Sequence, residues 1–412
     1  MRDVFVIGVG MTPFGRHMDK SCAAMAREAV ILAMTDAGAT ASDLGVAFYA
    51  NTVQGAIEGQ YGIKGQHALR ALGIEGIPVF NVENACSGSG AALNLAYSQV
   101  AGGFADVALA VGSEKLNTKD AEKRFAAFNQ PDDVAAVTRF LETYNPLVAD
   151  VVPPPSVVID PAMRSIFMDA YAINAKQHMK KHGTTWRQIA AVAAKNHGHS
   201  TMNPLAQFQN AMSIEEILAG RVIAWPLTLP MCAPISDGAT ATIICSADAL
   251  KRFNGKRAIR ILASVMRSGT DRDFLDVENT ACRLAAFEAY DKAGIGPKDI
   301  SVAEVHDASA YAEIAQTEYL GLCEFGAGGL MAERGDTTLG GRIPVNVSGG
   351  LESKGHPVAA TGLAQIHELV TQLRGEAGKR GVEGARFGLS CNGGGFIGVE
   401  EAITCVTLLG RD

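Results

Sequence analysis

Cys86 stands between the strand-like residues 78–80 and a string of small residues, 87–92, that opens an apolar helix. A helix N-terminus carries N–H groups without helical partners and a partial positive charge, and both favour a thiolate. Small residues there let a substrate carbonyl approach backbone donors closely. A buried cysteine filling a tight turn would look the same on this stretch alone, so both readings stay open at this point. Three later stretches bear on them. "AEVHDASAYAEI" puts His306 and Asp307 directly after a strand-like run. "SKGHPVAATG" puts His356 in a turn between Gly355 and Pro357, and "LSCNGGGFIG" puts Cys391 just ahead of Gly393 and its glycine neighbours. Each alone reads as structural. Together, two cysteines and two histidines fall on strand-to-turn junctions, where α/β folds carry their reactive groups.

Two other motifs fail on inspection. "GVGMTPFG" has Pro13 where a dinucleotide-binding turn needs glycine, and no acidic residue follows at the ribose position. "KNHGHS" places His197 and His199 two apart, without further Cys or His at ligand spacing; a structural or loop role is expected, and no metal.

The elements that must position these residues are legible from pattern. "DVFVIGVG" reads as a buried strand, followed by a helix over about 21–37 that ends at Gly38. "GVAFYANTV", "VFNVENA" and "DVALAVGSEKL" are further strands, with a helix over about 87–101 after Cys86. Residues 119–232 change character, with charged helices and "VVPPPS", and alternation resumes at "PISDGATATIICS". An internal repeat is the most informative feature. Residues 26–46 lie over 282–302 at an offset of 256, with identities that include Arg27/Arg283, Ala29/Ala285, Ala37/Ala293, Gly38/Gly294 and Asp43/Asp299. "FNVENACSGSG" has a counterpart in "VNVSGGLESKGHPVAATG". Two βαβ-type halves imply a duplicated α/β fold with helices layered on sheets.

Composition narrows the function classes. The chain has 412 residues, 48% of them hydrophobic, and a formal net charge of −7. No long basic run is present, which argues against a nucleic-acid scaffold. Eight cysteines without a CxxC pair fit a reducing compartment better than a disulfide framework. Asp3 and the early Gly and Pro do not suit a secretory signal. No apolar run is long enough to span a membrane. A cytoplasmic location is expected.

With these residues in view, the chain resembles the thiolase superfamily, and most of all the sterol-carrier-protein type of thiolase. The resemblance rests on "VFVIGVGMTPFGR", "NACSGSGAA", "GSEKL", "KNHGHSTMNP", "SDGA", "EVHDASAYAE", "NVSGGLESKGHPVAATGLAQ" and "CNGGG", which run from the N-terminus to beyond residue 390. It implies an α/β thiolase fold, in which duplicated βαβαβαββ halves form a layered αβαβα core with an inserted loop domain. Residues 1–118 plus 233–257 would be the N-terminal half, 119–232 the loop domain and 258–412 the C-terminal half. It implies Claisen cleavage or condensation of a β-oxoacyl-CoA with CoA as co-substrate and no permanently bound cofactor. Cys86 would be the nucleophile, His356 its general base, and Cys391 the acid/base at the α-carbon. His306 would bind the enolate oxygen, and the N–H groups of Cys86 and Gly393 would form the oxyanion hole. It also implies a homodimer or dimer of dimers, and for some relatives a small OB-fold, zinc-ribbon partner subunit.

Two departures bear on the substrate. Ala308 and Ser309 stand where sterol-carrier-type thiolases usually have Cys-Phe, and Val358–Ala360 replaces a run that usually includes Leu-Gly. Aromatic or branched acyl-CoAs such as benzoylsuccinyl-CoA therefore belong among the expected substrates. A thiolase-fold aldolase, a decarboxylating ketosynthase and a non-catalytic acyl-CoA or lipid binder are the competing functions. An acyl adduct on Cys86 separates the two thiol-acylating chemistries, thiolase and ketosynthase, from aldolase and binder.

Overall fold

β1, Val4–Met11, is buried at seven of its eight positions, as a strand covered on both faces must be. It lies at the centre of a nine-stranded mixed sheet with the order β3-β2-β4-β7-β1-β8-β11-β10-β9. The other strands are β2 Val46–Ala50, β3 Val79–Val82, β4 Val107–Glu114, β7 Gly238–Ser246, β8 Ile259–Ser268, β9 Val302–Glu304, β10 Phe387–Gly394 and β11 Ile403–Gly410. β5 Val222–Ala224 and β6 Leu227–Thr228 form a separate small hairpin. The computed structural model describes residues 2–411 except 121, 124–126, 128–133, 156 and 160–164.

The sheet is two copies of one pattern. In the first, β2 lies parallel to β3 and β4, β4 is antiparallel to β7, and β7 is antiparallel to β1. In the second, β9 bridges Val345 and pairs with β10 in parallel, β10 is antiparallel to β11, and β11 is antiparallel to β8. The copies meet along β1 and β8 through three residue pairs, Val4 to Ile261, Phe5 to Arg260 and Val6 to Ile259. The sequence repeat reappears in the chain's path. Helices Cys22–Ala37 and Ala281–Ala293 both end on a left-handed glycine, Gly38 and Gly294. Each is followed by a short turn, Ala41–Asp43 or Pro297–Asp299, and then by β2 or β9.

Burial separates the layers. One apolar cluster joins helix Cys22–Ala37 to the outer face of the first half, through residues such as Ile7, Leu109 and Ile243. Another joins helix Ala281–Ala293 to the outer face of the second, through Val265, Leu389 and Val406. Between the halves lie two central helices, Gly88–Ala101 and Thr361–Leu373, with strand residues of both halves packed on them. The expected αβαβα layering is therefore present. The segment between β4 and β7 carries helices Ile166–His182 and Trp186–Ser200, which pack on helix Ala310–Tyr319 through Ala175, Ile189, Tyr311 and Ile314.

The two central helices touch at their first turns, and glycine makes the approach possible. A Cβ on Gly362 would stand 2.6 Å from the backbone nitrogen of Gly90, and closer still to Asn392 Oδ1. Ser89 Oγ accepts from the N–H of Leu363 at 3.1 Å across the same contact. Overpacking a tight core typically costs about 1–3 kcal/mol. Gly362→Ala should therefore lower the melting temperature measured by calorimetry. An unchanged melting temperature would show that the helices have room to part.

Candidate active site

The chain enters the first central helix through the turn Ala85–Ser87, in which Ala85 takes a positive φ of 46°. Ser87 is tied down by its own Oγ, which donates to the carbonyl of Asn392 on β10 at 2.8 Å. Cys86, between them, is half-buried at the helix N-terminus. The second central helix has a matching entrance, the turn Val358–Ala360, and His356 lies just before it. The repeat thus brings a cysteine from one half and a histidine from the other to the same point.

His356 Nε2 lies 3.3 Å from Cys86 Sγ. Its Nδ1 lies 2.7 Å from Thr361 Oγ1. With Nδ1–H donated to Thr361, Nε2 carries a lone pair toward the thiol. Burial, reinforced by the charge of Lys354, pulls the imidazole down to about 4, so His356 is a neutral base at pH 7. His306 sits beside it, with ring centroids 5.3 Å apart and planes at 81°. The reactive atoms of Cys86, His306 and His356 all lie within 4.8 Å of one another. Burial and then the neighbouring His356 hold His306 neutral as well. Its Nδ1 faces Asn392 Nδ2 at 3.3 Å. An amide nitrogen can only donate there, so the ring proton belongs on Nε2 and His306 is a donor.

The loops that carry these groups are anchored by buried carboxylates. Glu114, from "GSEKL", accepts from the N–H groups of Thr52, Val53 and Ala359. Asp237, from "SDGA", accepts from the N–H groups of Leu116, Asn117 and His17. Asp307, next to His306, accepts from Leu351 N–H at 2.7 Å and so ties the two histidine loops together. "KNHGHS" lies in the last turns of helix Trp186–Ser200, not in a loop. His197 contacts Ser353 Oγ, and His199 bridges Asn346 carbonyl and Leu339 N–H. Both are structural supports of the segment leading to His356.

Cys391 is placed elsewhere. Side chains alternate along a strand, and on β10 Asn392, not Cys391, faces the nucleophile turn. Asn392 Nδ2 donates to the Cys86 carbonyl at 3.2 Å. Cys391 is wholly buried in the outer core layer with Sγ 3.4 Å from Cys282 Sγ. The contact with Cys282, together with burial, pushes its thiol well up. Cys391 stands behind Cys282, which lines the cavity above Cys86. Gly393 is also off the cavity wall, which Gly394 and Gly395 form instead. A Cβ on Gly393 would run into the carboxyl of Glu401. Asn392, Thr361, Gln316 and Glu401 were not singled out from sequence. For Asn392 the signal was the strand period itself.

The cavity spans roughly 1440 Å³ including its open mouth. It runs from Val53, Cys86 and Leu116 past both histidines to Tyr311, Tyr319 and Phe396. Helix Ile166–His182 roofs it with Phe167 and Tyr171. The three clustered groups also have the mutual spacing of ligands to a metal ion. Among the described residues no helix is long and apolar enough to cross a membrane.

Comparison with known proteins identifies the family. The family described as "Thiolase, N-terminal domain" matches residues 4–217, and "Thiolase C-terminal domain-like" matches residues 265–407. Sterol carrier protein 2 of Bos taurus is 39% identical over 98% of this chain and 72% of its own. Acetyl-CoA acetyltransferase of Methanothermobacter thermautotrophicus is 38% identical over 97% and 98%. Benzoylsuccinyl-CoA thiolase subunit BbsB of Thauera aromatica is 35% identical over 91% and 90%. Among solved structures, an Ltp2-ChsH2(DUF35) aldolase superposes with a TM-score of 0.76 at 22% identity, covering 100% of this chain and 98% of that one. Human mitochondrial 3-ketoacyl-CoA thiolase in complex with CoA does so with 0.68 at 16%, with the same coverage. At those identities the structures speak for the fold alone. Matched by both family descriptions from β1 to β11, and by full-length relatives at more than a third identity, the chain belongs to the thiolase family and is an acyltransferase.

Proposed function

We propose that this protein cleaves or forms a β-oxoacyl-CoA through an acyl-enzyme on Cys86, with CoA as co-substrate. The observation that carries the reading is the 3.3 Å approach of a neutral His356 Nε2 to Cys86 Sγ at a helix N-terminus. In the cleavage direction His356 takes the Cys86 proton and the thiolate attacks the β-carbonyl. The carbon–carbon bond breaks, and the electron pair passes to the thioester as an enolate. His306 Nε2–H is the donor suited to that enolate oxygen, because its ring is already neutral and fixed by Asn392. CoA then takes the acyl group from Cys86. The N–H groups of Cys86 and Gly393 are the donors for the acyl oxygen in both attacks.

The acyl group is a bulky one, aromatic or branched. Phe167, Tyr171, Tyr311, Tyr319 and Phe396 around the cavity favour flat apolar groups. The relative named as a benzoylsuccinyl-CoA thiolase subunit points the same way. Its description as a subunit also supports a partner polypeptide, and a homo-oligomer belongs to the same proposal. An aldolase is the less favoured reading, since retro-aldol cleavage needs no thiol with its own base.

Two measurements test this. Acetyl-CoA or benzoyl-CoA should leave an acyl adduct on Cys86 by mass spectrometry, and Cys86→Ala should abolish it while keeping the fold. Absence of the adduct on the intact protein would remove the acyl-enzyme. His356→Ala should slow iodoacetamide alkylation of Cys86 at pH 7 by about 10²-fold or more, with recovery at high pH. A base with its pKa near 4 is unprotonated above that value. The wild-type alkylation profile should therefore show no break at the ordinary imidazole value of about 6.5, and a clear break there would contradict the neutral His356.

A further inference from the structure

The cavity carries polar donors that the thioester chemistry does not use. Helix Ala310–Tyr319 starts just after His306 and turns Tyr311, Ala315 and Tyr319 to the cavity. Residues four apart share a helix face, and eight residues rise about 12 Å. This face therefore leads away from the histidines into the buried end of the cavity. Tyr311 is 5% exposed, and neither its hydroxyl nor that of Tyr319 is bonded to a described residue. Burial holds both phenols above their ordinary range, so both stay protonated and able to donate.

Arg272 lines the same cavity, with its side chain only 7% exposed. Its Nη1 is occupied by the carbonyls of Asp273 and Asp276, each at 3.0 Å. Its Nε faces Glu400 Oε2 at 3.2 Å as an ion pair, without an aligned hydrogen bond. Its Nη2 has no partner among the described residues. The Arg272 charge acts on both Tyr311 and Tyr319, which places the three free donors in one region. Glu400 balances that charge only in part. Its carboxylate also accepts from Thr270 N–H at 2.8 Å, from the Thr270 hydroxyl at 3.2 Å and from Ala281 N–H at 2.9 Å. Ala281 opens helix Ala281–Ala293, so the Glu400 charge is shared with a helix N-terminus. Burial lifts the neighbouring Glu401 carboxyl to about 7, so it can hold a proton when another anion arrives.

We propose that this end of the cavity is an anion subsite: the acyl group carries a carboxylate, with Arg272 Nη2 as its anchor and Tyr311 and Tyr319 as adjacent donors. The inference deepens the Cys86 acyl-enzyme reading and rests on it. In cleavage the half of a β-oxoacyl-CoA that passes to Cys86 would be the half with the free carboxylate. The planar guanidinium suits a carboxylate in shape as well as charge. The aromatic walls pack the apolar part of the chain. A chain ending in a methyl group would leave all three buried donors unpaired, which is how a polar site rejects an apolar analogue.

The test measures the rate of Cys86 acylation by mass, with each acyl-CoA below saturation. Straight acyl-CoAs from hexanoyl to decanoyl are compared with chains of equal length that end in a carboxylate or in a methyl ketone. At one length or more the wild-type protein should prefer the carboxylate over the methyl end by about tenfold or more, as a hydrogen bond to a charged group implies. Arg272→Met should bring that ratio close to one, and Tyr319→Phe should lower it in part. If Arg272→Met does not fold, Tyr319→Phe, which removes one hydroxyl, carries the test. A wild-type protein that prefers the methyl end at every length overturns the proposal. So does a methyl ketone taken as well as the carboxylate, and so does a ratio that neither variant changes. No adduct on Cys86 from any of these, nor from acetyl-CoA, defeats the acyl-enzyme reading instead.

Discussion

The contact between Cys86 and His356 joins residues 270 positions apart, and nearly everything else in the structure serves to hold it. Each partner stands at the entrance to a central helix, one in each half. The duplication sets those entrances side by side, so two helix N-termini converge on one spot. Their partial positive charges add in a place with little water to screen them, which favours a thiolate and a developing oxyanion. The convergence depends on how near the helices come. Gly90 and Gly362 set that distance, and the hydrogen bond from Leu363 N–H to Ser89 Oγ locks it. Displacement of either helix would move a reacting group, because neither Cys86 nor His356 is more than a few residues from the packed turn.

The loops between sheet and site would be soft without the buried carboxylates beneath them. Glu114 and Asp237 each gather backbone N–H groups from two separate segments, and Asp307 accepts from the N–H groups of Leu351 and Glu352 and from the Asn196 side-chain amide. Burying such groups is costly unless they are fully bonded, and here the cost is exchanged for fixed geometry. Asp307, Glu313 and Glu352 gather around Asn196, with Lys195 paired to Glu313. One cation among three buried carboxyls cannot keep all of them ionised. Burial and the neighbouring acids push Asp307 and Glu352 well up, so protons are held within the network. A group of this kind orders both histidine loops at once and changes neither reacting atom.

Much of this was legible in the sequence, because the repeat, the strand patterns and the capping glycines are local signals. Gly38 and Gly294 mark the same helix end in both halves, and the structure gives each a left-handed backbone. Cys86, His306 and His356 could be read from their turns. Cys391 could not be placed, because its motif says that it lies on a strand and not which face it presents. One residue of register separates Asn392 in the site from Cys391 in the core. Glu401 carries no motif at all: the turn between β10 and β11 brings it over Gly393, and Gln316 reaches it from a distant helix.

A single physical effect ties the proton positions together. The cavity removes its lining from water, and desolvation opposes whichever form is charged. Imidazoles are therefore drawn down, His356 to about 4, while the Glu401 carboxyl is drawn up to about 7. At rest the site holds two neutral histidines. Charge then appears only as the reaction makes it, on sulfur, on the enolate oxygen and on the acyl oxygen. The first turns of the two central helices and the neutral ring of His306 are the donors nearest to Cys86 that the proposed reaction would use. Stabilisation that is stronger for the transition state than for the resting state is what accelerates a reaction. A site built from charged groups would spend its field on the resting state; this one withholds it until the bonds begin to move.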